Sequence, residues 1–139
     1  MRYQLDMSEF YYRRRLPHWR ADDVNYFITW RLAKAQPDLK PSEREAVMSA
    51  LKHFDGKRYQ LTALVVMNDH VHVLLSTIGS WRLEEVIHSW KSFTANQMQR
   101  DHGRCGRVWQ DEYFDRIVRD EAELVQKFDY LRNNPWTRW

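Results

Sequence analysis

Two histidines separated by one hydrophobic residue form the first candidate catalytic or metal-binding site of this chain. His70 and His72 begin the segment HVHVLLST, whose β-branched and apolar residues favour a strand. Side chains two positions apart on a strand project from the same face, so the two imidazoles could bind one metal ion. The pair alone is weak evidence, because ordinary half-buried histidines show the same spacing.

Tyr130 and Asn134 form a second candidate pair near the C-terminal end of the sequence. They are four residues apart in a segment with helical periodicity, so they are neighbours on one side of that helix. The apolar stripe of the helix contains Leu124, Phe128 and Leu131 and is centred about a third of a turn away. This placement favours a polar role, although a packing tyrosine with its hydroxyl in water would also fit.

The histidine pair and the tyrosine complement each other chemically. A tyrosine hydroxyl ionises near about pH 10, so it attacks a phosphodiester poorly at neutral pH unless the phosphate is polarised. A divalent metal ion polarises the phosphate and stabilises the leaving oxygen. The imidazoles of His70 and His72 and the amide oxygen of Asn134 could hold such an ion. Covalent attack would conserve the bond energy in a phosphotyrosine, which allows rejoining to another strand.

The elements that must position these residues follow the order strand, helix, strand, strand, helix, strand, helix. The first six match the split βαβ pattern of ferredoxin-like domains. We therefore predict an α+β fold, with a ferredoxin-like antiparallel sheet and an added C-terminal catalytic helix. The predicted strands are Val24–Leu32, Arg58–Met67, His70–Thr77 and Arg107–Val118; the predicted helices are Ser42–Phe54, Trp81–Arg100 and one from about Asp120 to just before Pro135.

Local signals predict where these elements begin, turn and bend. Ser42 and Glu45 have capping-box spacing at the start of the first helix, and Asp120 and Glu123 have it at the start of the last. Asn68-Asp69 predicts the turn that precedes His70. The last strand is expected to bend or break near Asp111.

Positive charge is concentrated at the N-terminal end of the chain. The 139 residues carry a net charge of +3, and residues 1–20 hold five arginines and two acids, which accounts for the whole surplus. Aromatic residues accompany the arginines, so this arm favours contact with phosphates and bases. A terminus that only improves solubility is the alternative.

Length and cysteine content limit the organisation of the protein. The chain of 139 residues suits a single domain, 1–139, with the basic arm 1–20. Cys105 is its only cysteine, which excludes an intrachain disulfide and a cysteine-based zinc site. The sequence has no long apolar run and no signal peptide, so we expect a cytoplasmic protein without membrane contact.

Taken in order, these motifs resemble the HUH single-tyrosine transposases, and in particular the REP-associated tyrosine transposases. The HUH motif, a hydrophobic residue between two histidines, corresponds to His70-Val71-His72. The residue after Met67 is often proline in relatives and is Asn68 here, in a turn where we expect no effect on the chemistry. The resemblance also covers Leu16–Trp19, Tyr26–Leu32, Lys91–Thr94, Val108–Asp115 and Asp129–Pro135.

The resemblance implies a site and a reaction. Tyr130 would be the nucleophile, and His70, His72 and Asn134 would bind Mg²⁺ or Mn²⁺. The family cuts single-stranded DNA beside a hairpin, forms a 5′-phosphotyrosine and leaves a free 3′-OH. The resemblance therefore implies a DNA transposase, that is, a single-strand endonuclease that also transfers strands.

The resemblance also implies DNA contacts. Members of the family read a short guide sequence beside the hairpin, partly through the N-terminal region. This would place Arg13, Arg14 and Arg15 at the DNA. Lys91, in the stretch similar to the family's long helix, is a further candidate contact. The expected partner is single-stranded or hairpin DNA, and the sequence leaves a homodimer open.

Three other functions stay open at this point. One is a catalytically quiet or domesticated DNA-binding protein of the same fold. Another is a ferredoxin-like RNA-binding module that stacks bases on its aromatic residues, although the chain has no RNA-recognition signature. A third is a rolling-circle initiator or relaxase with the same HUH chemistry, which the basic arm and the chain length fit less well.

Overall fold

The fold is an antiparallel sheet with helices on both faces. The computed structural model describes residues 10–12 and 24–133, and within these ranges the sheet has five strands in the order β1-β3-β4-β2-β5. The strands are β1 (Phe10–Tyr12), β2 (Asn25–Leu32), β3 (Tyr59–Val66), β4 (His70–Thr77) and β5 (Trp109–Val118), and the helices are α1 (Pro41–Lys52), α2 (Leu83–His102) and α3 (Glu121–Asn133).

The connections confirm the predicted ferredoxin-like arrangement. β2 and β3 are joined through α1, and β4 lies between them in the sheet and is antiparallel to both. This is the split βαβ unit. β5 continues the sheet beside β2, and α3 follows as the added C-terminal helix. No helix in the described ranges has the length and apolar character needed to cross a membrane.

β1 is a strand that the sequence analysis did not predict. Phe10–Tyr12 pairs antiparallel with β3, with Phe10 opposite Val65 and Tyr12 opposite Ala63. Three residues are too few to show a strand periodicity, so the sequence of this segment indicates only a basic, aromatic arm. The remainder of that arm lies outside the described residues.

The alternation of side chains along the strands divides the interior into two cores. One face of the sheet packs against α1 and α2, and its core contains Ile28, Trp30 and Val73. The other face packs against α3, and its core contains Phe27 and Leu74. The central strand β4 is therefore buried on both sides, as its burial pattern shows. The residues on the inner side of α2 are all buried, as predicted: Leu83, Val86, Ile87, Trp90, Thr94 and Met98.

α1 begins differently from the prediction. The helix starts at Pro41, and the Glu43 carboxylate accepts a hydrogen bond from the Lys40 backbone N–H at 3.0 Å. The predicted capping box of Ser42 and Glu45 is therefore wrong, and both of these side chains are exposed. Proline favours the first position of a helix, where its missing N–H is not needed. The helix therefore begins at Pro41, before the predicted start at Ser42.

A buried ion pair joins the start of α1 to the loop after α2. Arg104 donates two hydrogen bonds to Glu43, at 2.5 and 2.9 Å, and both side chains are at most 5% exposed. The same guanidinium donates to the backbone carbonyls of Pro37 and Asp38 and to the Gln36 side chain. This network ties together the two loops at one end of the sheet.

Replacing Arg104 with methionine should destabilise the fold by roughly 3–5 kcal/mol, because Glu43 would keep a buried charge without its partner. Urea unfolding followed by circular dichroism measures the loss. The control is Arg100→Met, which removes an ion pair to Asp101 whose side chains are exposed and should cost much less. An equal, small loss for both variants would contradict the assigned role of Arg104.

Candidate active site

The two histidines of the candidate site lie on the face of the sheet that α3 covers. His70 and His72 alternate with Val71 and Val73, which enter the core on the opposite face. The imidazole rings of the two histidines contact each other, with centroids 4.7 Å apart and planes inclined by 75°. His70 is 4% exposed and His72 is fully buried. The structure therefore brings the predicted pair together on one face.

Each histidine is oriented by a hydrogen bond through its Nδ1 atom. His72 Nδ1 lies 2.8 Å from Thr29 Oγ1, across the β2–β4 pairing. His70 Nδ1 lies 2.6 Å from Asp69 Oδ1. An ionised carboxylate only accepts hydrogen bonds, so the His70 Nδ1–H donates to Asp69. With Nδ1 of both rings engaged, the Nε2 atoms are the nitrogens that can act as ligands, and both are buried.

The electrostatic setting keeps His72 neutral. Burial, assisted by the nearby charges of His70 and Arg31, lowers the pKa of His72 to about 2. A neutral imidazole is the form that binds a metal ion. The residues therefore fit a metal as two nitrogen ligands. Within residues 10–12 and 24–133, no group of three histidine, cysteine or acidic side chains forms a metal-binding cluster.

α3 brings Tyr130 to the same face. The helix packs through Leu124, Phe128 and Leu131 into the core that also contains Val65, the cross-strand partner of His72. Tyr130 itself is half-buried and lies to one side of this apolar stripe, as predicted.

Lys127 shows which way that side of α3 faces. Residues three apart are neighbours on a helix, so Lys127 and Tyr130 share one side of it. The Lys127 Nζ atom lies 5.3 Å from the centroid of the Phe27 ring, and that ring stacks on His72 with centroids 5.8 Å apart. Tyr130 is therefore one helical turn from a residue that contacts the aromatic neighbour of His72.

An ion-pair cluster fixes the start of α3. The Glu123 backbone N–H donates to Asp120 Oδ1 at 2.8 Å, which is the predicted cap. The Glu123 side chain, however, accepts hydrogen bonds from Arg116 of β5 and from Arg119, and not from the Asp120 backbone. The first turn of α3 is thereby attached to β5, which sets how the helix lies over the sheet.

The other predicted site residues are not brought to the histidines by the described structure. Asn134 and the arginines 13–15 lie outside the described residues. Lys91 lies on α2, on the opposite face of the sheet, where its Nζ donates to the backbone carbonyls of Gln110 and Asp111 at 2.6 and 3.0 Å. Burial lowers the pKa of Lys91. A DNA contact for Lys91 stays a prediction.

Thr29 and Asp69 are the site residues that the sequence analysis missed. The Asn68-Asp69 pair predicts only a turn, but the position of Asp69 next to His70 in the sequence is a usable signal for a hydrogen bond between them. Thr29 carries no local signal, because its role depends on the register between two strands that are distant in the sequence. Asn68 is also engaged: its side chain accepts a hydrogen bond from Arg44 at 3.0 Å, which anchors the turn before His70.

The comparisons with known proteins agree on a family and a fold. The sequence model of the family described as transposase IS200-like matches residues 21–134. The chain is similar to a REP-associated tyrosine transposase bound to a REP hairpin, with 18% identity and a TM-score of 0.65 over 86% of this chain and 72% of that one. It is also similar to a candidate transposase from Deinococcus radiodurans R1, with 20% identity and a TM-score of 0.59 over 84% and 95% of the two chains. No curated protein matches the chain.

The attachment of α3 should depend on pH through Glu123. Hydrogen bonds from Arg116, with a further contribution from Arg119, lower the pKa of Glu123 from 4.5 to about 2. The carboxylate therefore stabilises the fold above about pH 4.5, and this contribution is lost as the pH falls towards 2. Glu123→Gln should lower the melting temperature at neutral pH. The difference in melting temperature from wild type should shrink as the pH falls towards 2.

Melting curves at several pH values test this, with Glu121→Gln as the control in the same helical turn. Glu121 is exposed, so its substitution should change the melting temperature little at any pH. A Glu123→Gln effect of constant size across the acidic range would show that the ion pairs to Arg116 and Arg119 do not stabilise the fold.

Proposed function

Because the chain belongs to the IS200-like transposase family, we propose that it cleaves and rejoins single-stranded DNA with Tyr130 as its nucleophile. The observation that supports this most directly is the shared face of the sheet. His70, His72 and the helix that carries Tyr130 are distant in the sequence, yet they meet on one side of β4. The other side of β4 is filled by an apolar core.

A divalent metal ion, Mg²⁺ or Mn²⁺, belongs to this proposal. Its ligands would be His70 and His72, with Asn134 as a third. Asn134 follows Tyr130 by four residues, so a helix continued to that point would carry nucleophile and ligand on the same side. When bound, the metal would polarise the phosphate and stabilise the oxygen that leaves.

The proposed reaction is a transesterification at phosphorus. The Tyr130 hydroxyl loses its proton and its oxygen forms a bond to the phosphorus, while the bond to the 3′ oxygen of the preceding nucleotide breaks. That oxygen takes up a proton and leaves as a 3′-OH. The products are a 5′-phosphotyrosine and a free 3′ end, and attack by another 3′-OH on the phosphotyrosine would complete strand transfer.

The proposed substrate is single-stranded DNA that contains a hairpin. One structural relative is described as bound to a REP hairpin, and its fold is shared by this chain. The basic residues Arg13, Arg14 and Arg15 would contact the strand beside the hairpin. A DNA-binding protein of the same fold without turnover is the outcome that the first experiment must separate from this proposal.

Covalent capture tests the nucleophile. Wild-type protein, Mg²⁺ and a hairpin-containing single strand should give a protein–DNA band that survives denaturing gel electrophoresis. A label at the 3′ end of the DNA should move with the protein, and a label at the 5′ end should stay on a released fragment. Tyr130→Phe should abolish the band, because it removes only the attacking oxygen.

Tyr26→Phe is the matched control for this experiment, since Tyr26 packs against the core on the opposite face of the sheet. It should leave the band intact. A covalent band of normal intensity with Tyr130→Phe would rule out Tyr130 as the nucleophile. Tight binding of hairpin DNA without any covalent band in the wild type would favour the binding-only function.

Metal affinity tests the orientation of His72 by Thr29. Thr29→Val keeps the branched shape of the side chain but removes the hydroxyl beside Nδ1, so Mn²⁺ affinity should fall about 10- to 100-fold. Thr29→Ser retains the hydroxyl and should bind nearly as well as wild type. Calorimetric titration of the protein with Mn²⁺, without DNA, measures both. Equal affinities for the valine and serine variants would argue against this role, and unchanged affinity in His72→Ala would remove His72 from the ligands.

A further inference from the structure

A groove of about 660 Å³ opens on the α3 face of the sheet, beside the histidine pair. Its floor is formed by β2 and β5, and Lys127 of α3 contributes to one wall. Thr29, which is bonded to His72, and Phe27, whose ring stacks on His72, both line it. The groove is therefore continuous with the candidate active site.

We propose that this groove binds a nucleotide of single-stranded DNA next to the cleaved phosphate, with its base stacked on Phe114. This inference rests on the proposed function, because it assumes that the strand passes the histidine pair. It adds a base-binding position on β5 that neither the histidine motif nor the tyrosine helix contains.

The strand register places Phe114 in line with the histidines. Phe114 lies opposite Thr29 in the β2–β5 pairing, and Thr29 lies opposite His72 in the β2–β4 pairing. Directly opposed residues of antiparallel strands project from the same face, so the three side chains form one row across the sheet. Two strand spacings, about 10 Å, separate the backbones at the ends of this row. A neighbouring nucleotide of the same strand can span such a gap.

Phe114 has the exposure that a stacking platform needs. The residue is 58% exposed, although the face to which it belongs is covered by α3 farther along the sheet. A phenylalanine that served only the core would be buried, as Phe27 is at 2%. The ring therefore offers its surface to the groove and not to the apolar cluster beneath α3.

The charges around Phe114 favour a nucleic acid over an apolar ligand or a protein strand. Among the described residues that line the groove, Arg31, Arg116 and Lys127 are cationic and Glu112 is anionic. Arg31 lies opposite His70, on one side of the row. On the other side, Lys127 Nζ lies 5.3 Å from the centroid of the Phe27 ring, while Arg116, which lies opposite Phe27, is paired with Glu123. Cationic side chains on both sides of an exposed aromatic ring are the combination that binds single strands without reading their sequence.

Phe93 offers a matched control for a binding experiment. It is 57% exposed, almost the same as Phe114, but it lies on α2 on the other face of the sheet. Fluorescence anisotropy of a short labelled poly-dT strand measures binding to the full chain. Phe114→Ala should raise the Kd roughly 5- to 150-fold, as expected for the loss of one stacked base. Phe114→Trp should bind at least as tightly as wild type, and Phe93→Ala should be unchanged.

Two results would overturn the proposal. One is an equal Kd for Phe114→Ala and Phe93→Ala, with both variants folded by circular dichroism. The other is duplex DNA that competes as well as the single strand, because paired bases cannot stack on a protein ring and the groove would then bind phosphate alone. Weaker competition by the duplex supports the stacking.

The binding experiment on Phe114 and the covalent-capture experiment on Tyr130 can fail independently of each other. A wild-type protein that forms the covalent band, with no effect of Phe114→Ala on single-strand binding, would refute the stacking position and leave the reaction standing. A wild-type protein that forms no covalent band, with the expected loss of binding in Phe114→Ala, would refute the reaction and support the groove as a single-strand site.

Discussion

The pairing of β2 with β4 places Thr29 opposite His72 and Arg31 opposite His70. A slip of β4 by one residue would turn all of its side chains to the other face of the sheet. Both imidazoles would then enter the apolar core, and Val71 and Val73 would take their place beneath α3. Because apolar side chains fill the face beneath α1 and α2, such a slip is strongly disfavoured, and the core itself holds the histidines in position.

α3 depends on this same face, but its attachment is of a different kind. Its core contains Phe27, Leu74, Leu124 and Phe128 and is smaller than the one beneath α1 and α2. The ion pairs of Glu123 supplement it at the first turn of the helix. One face of the sheet thus provides most of the buried apolar surface, while the other carries the histidines, the tyrosine helix and the groove.

The sequence predicts the placement of residues that lie close together on one strand or one helix. His70 and His72 share a face because strands have a period of two, and Tyr130 lies off the apolar stripe because helices have a period of 3.6. No local pattern reveals the contacts that join distant parts of the sequence. Thr29 bonds to His72 across 43 residues, and Arg104 pairs with Glu43 across 61. The position of Phe114 depends on the register between β2 and β5. The start of α1 was predicted wrongly because the signal of Ser42 competed with that of Pro41, and the burial of Glu43 against Arg104 is a long-range effect.

The neutrality of the proposed ligands has a consequence for the substrate. Two imidazoles and an amide would not themselves compensate the charge of a divalent cation. Near His70 the described charged side chains include Asp69, which accepts from its Nδ1–H, and Arg31, which lies opposite it in the sheet. A site rich in carboxylates would cancel much of that charge and would repel a phosphodiester. The buried surroundings of His70 and His72 weaken solvent screening. In the proposed reaction, the positive potential of the metal would therefore act at close range on the phosphate and on the charge that develops as its bond breaks. In this proposal the phosphate of the DNA, and not a ligand from the protein, would bring negative charge directly to the metal.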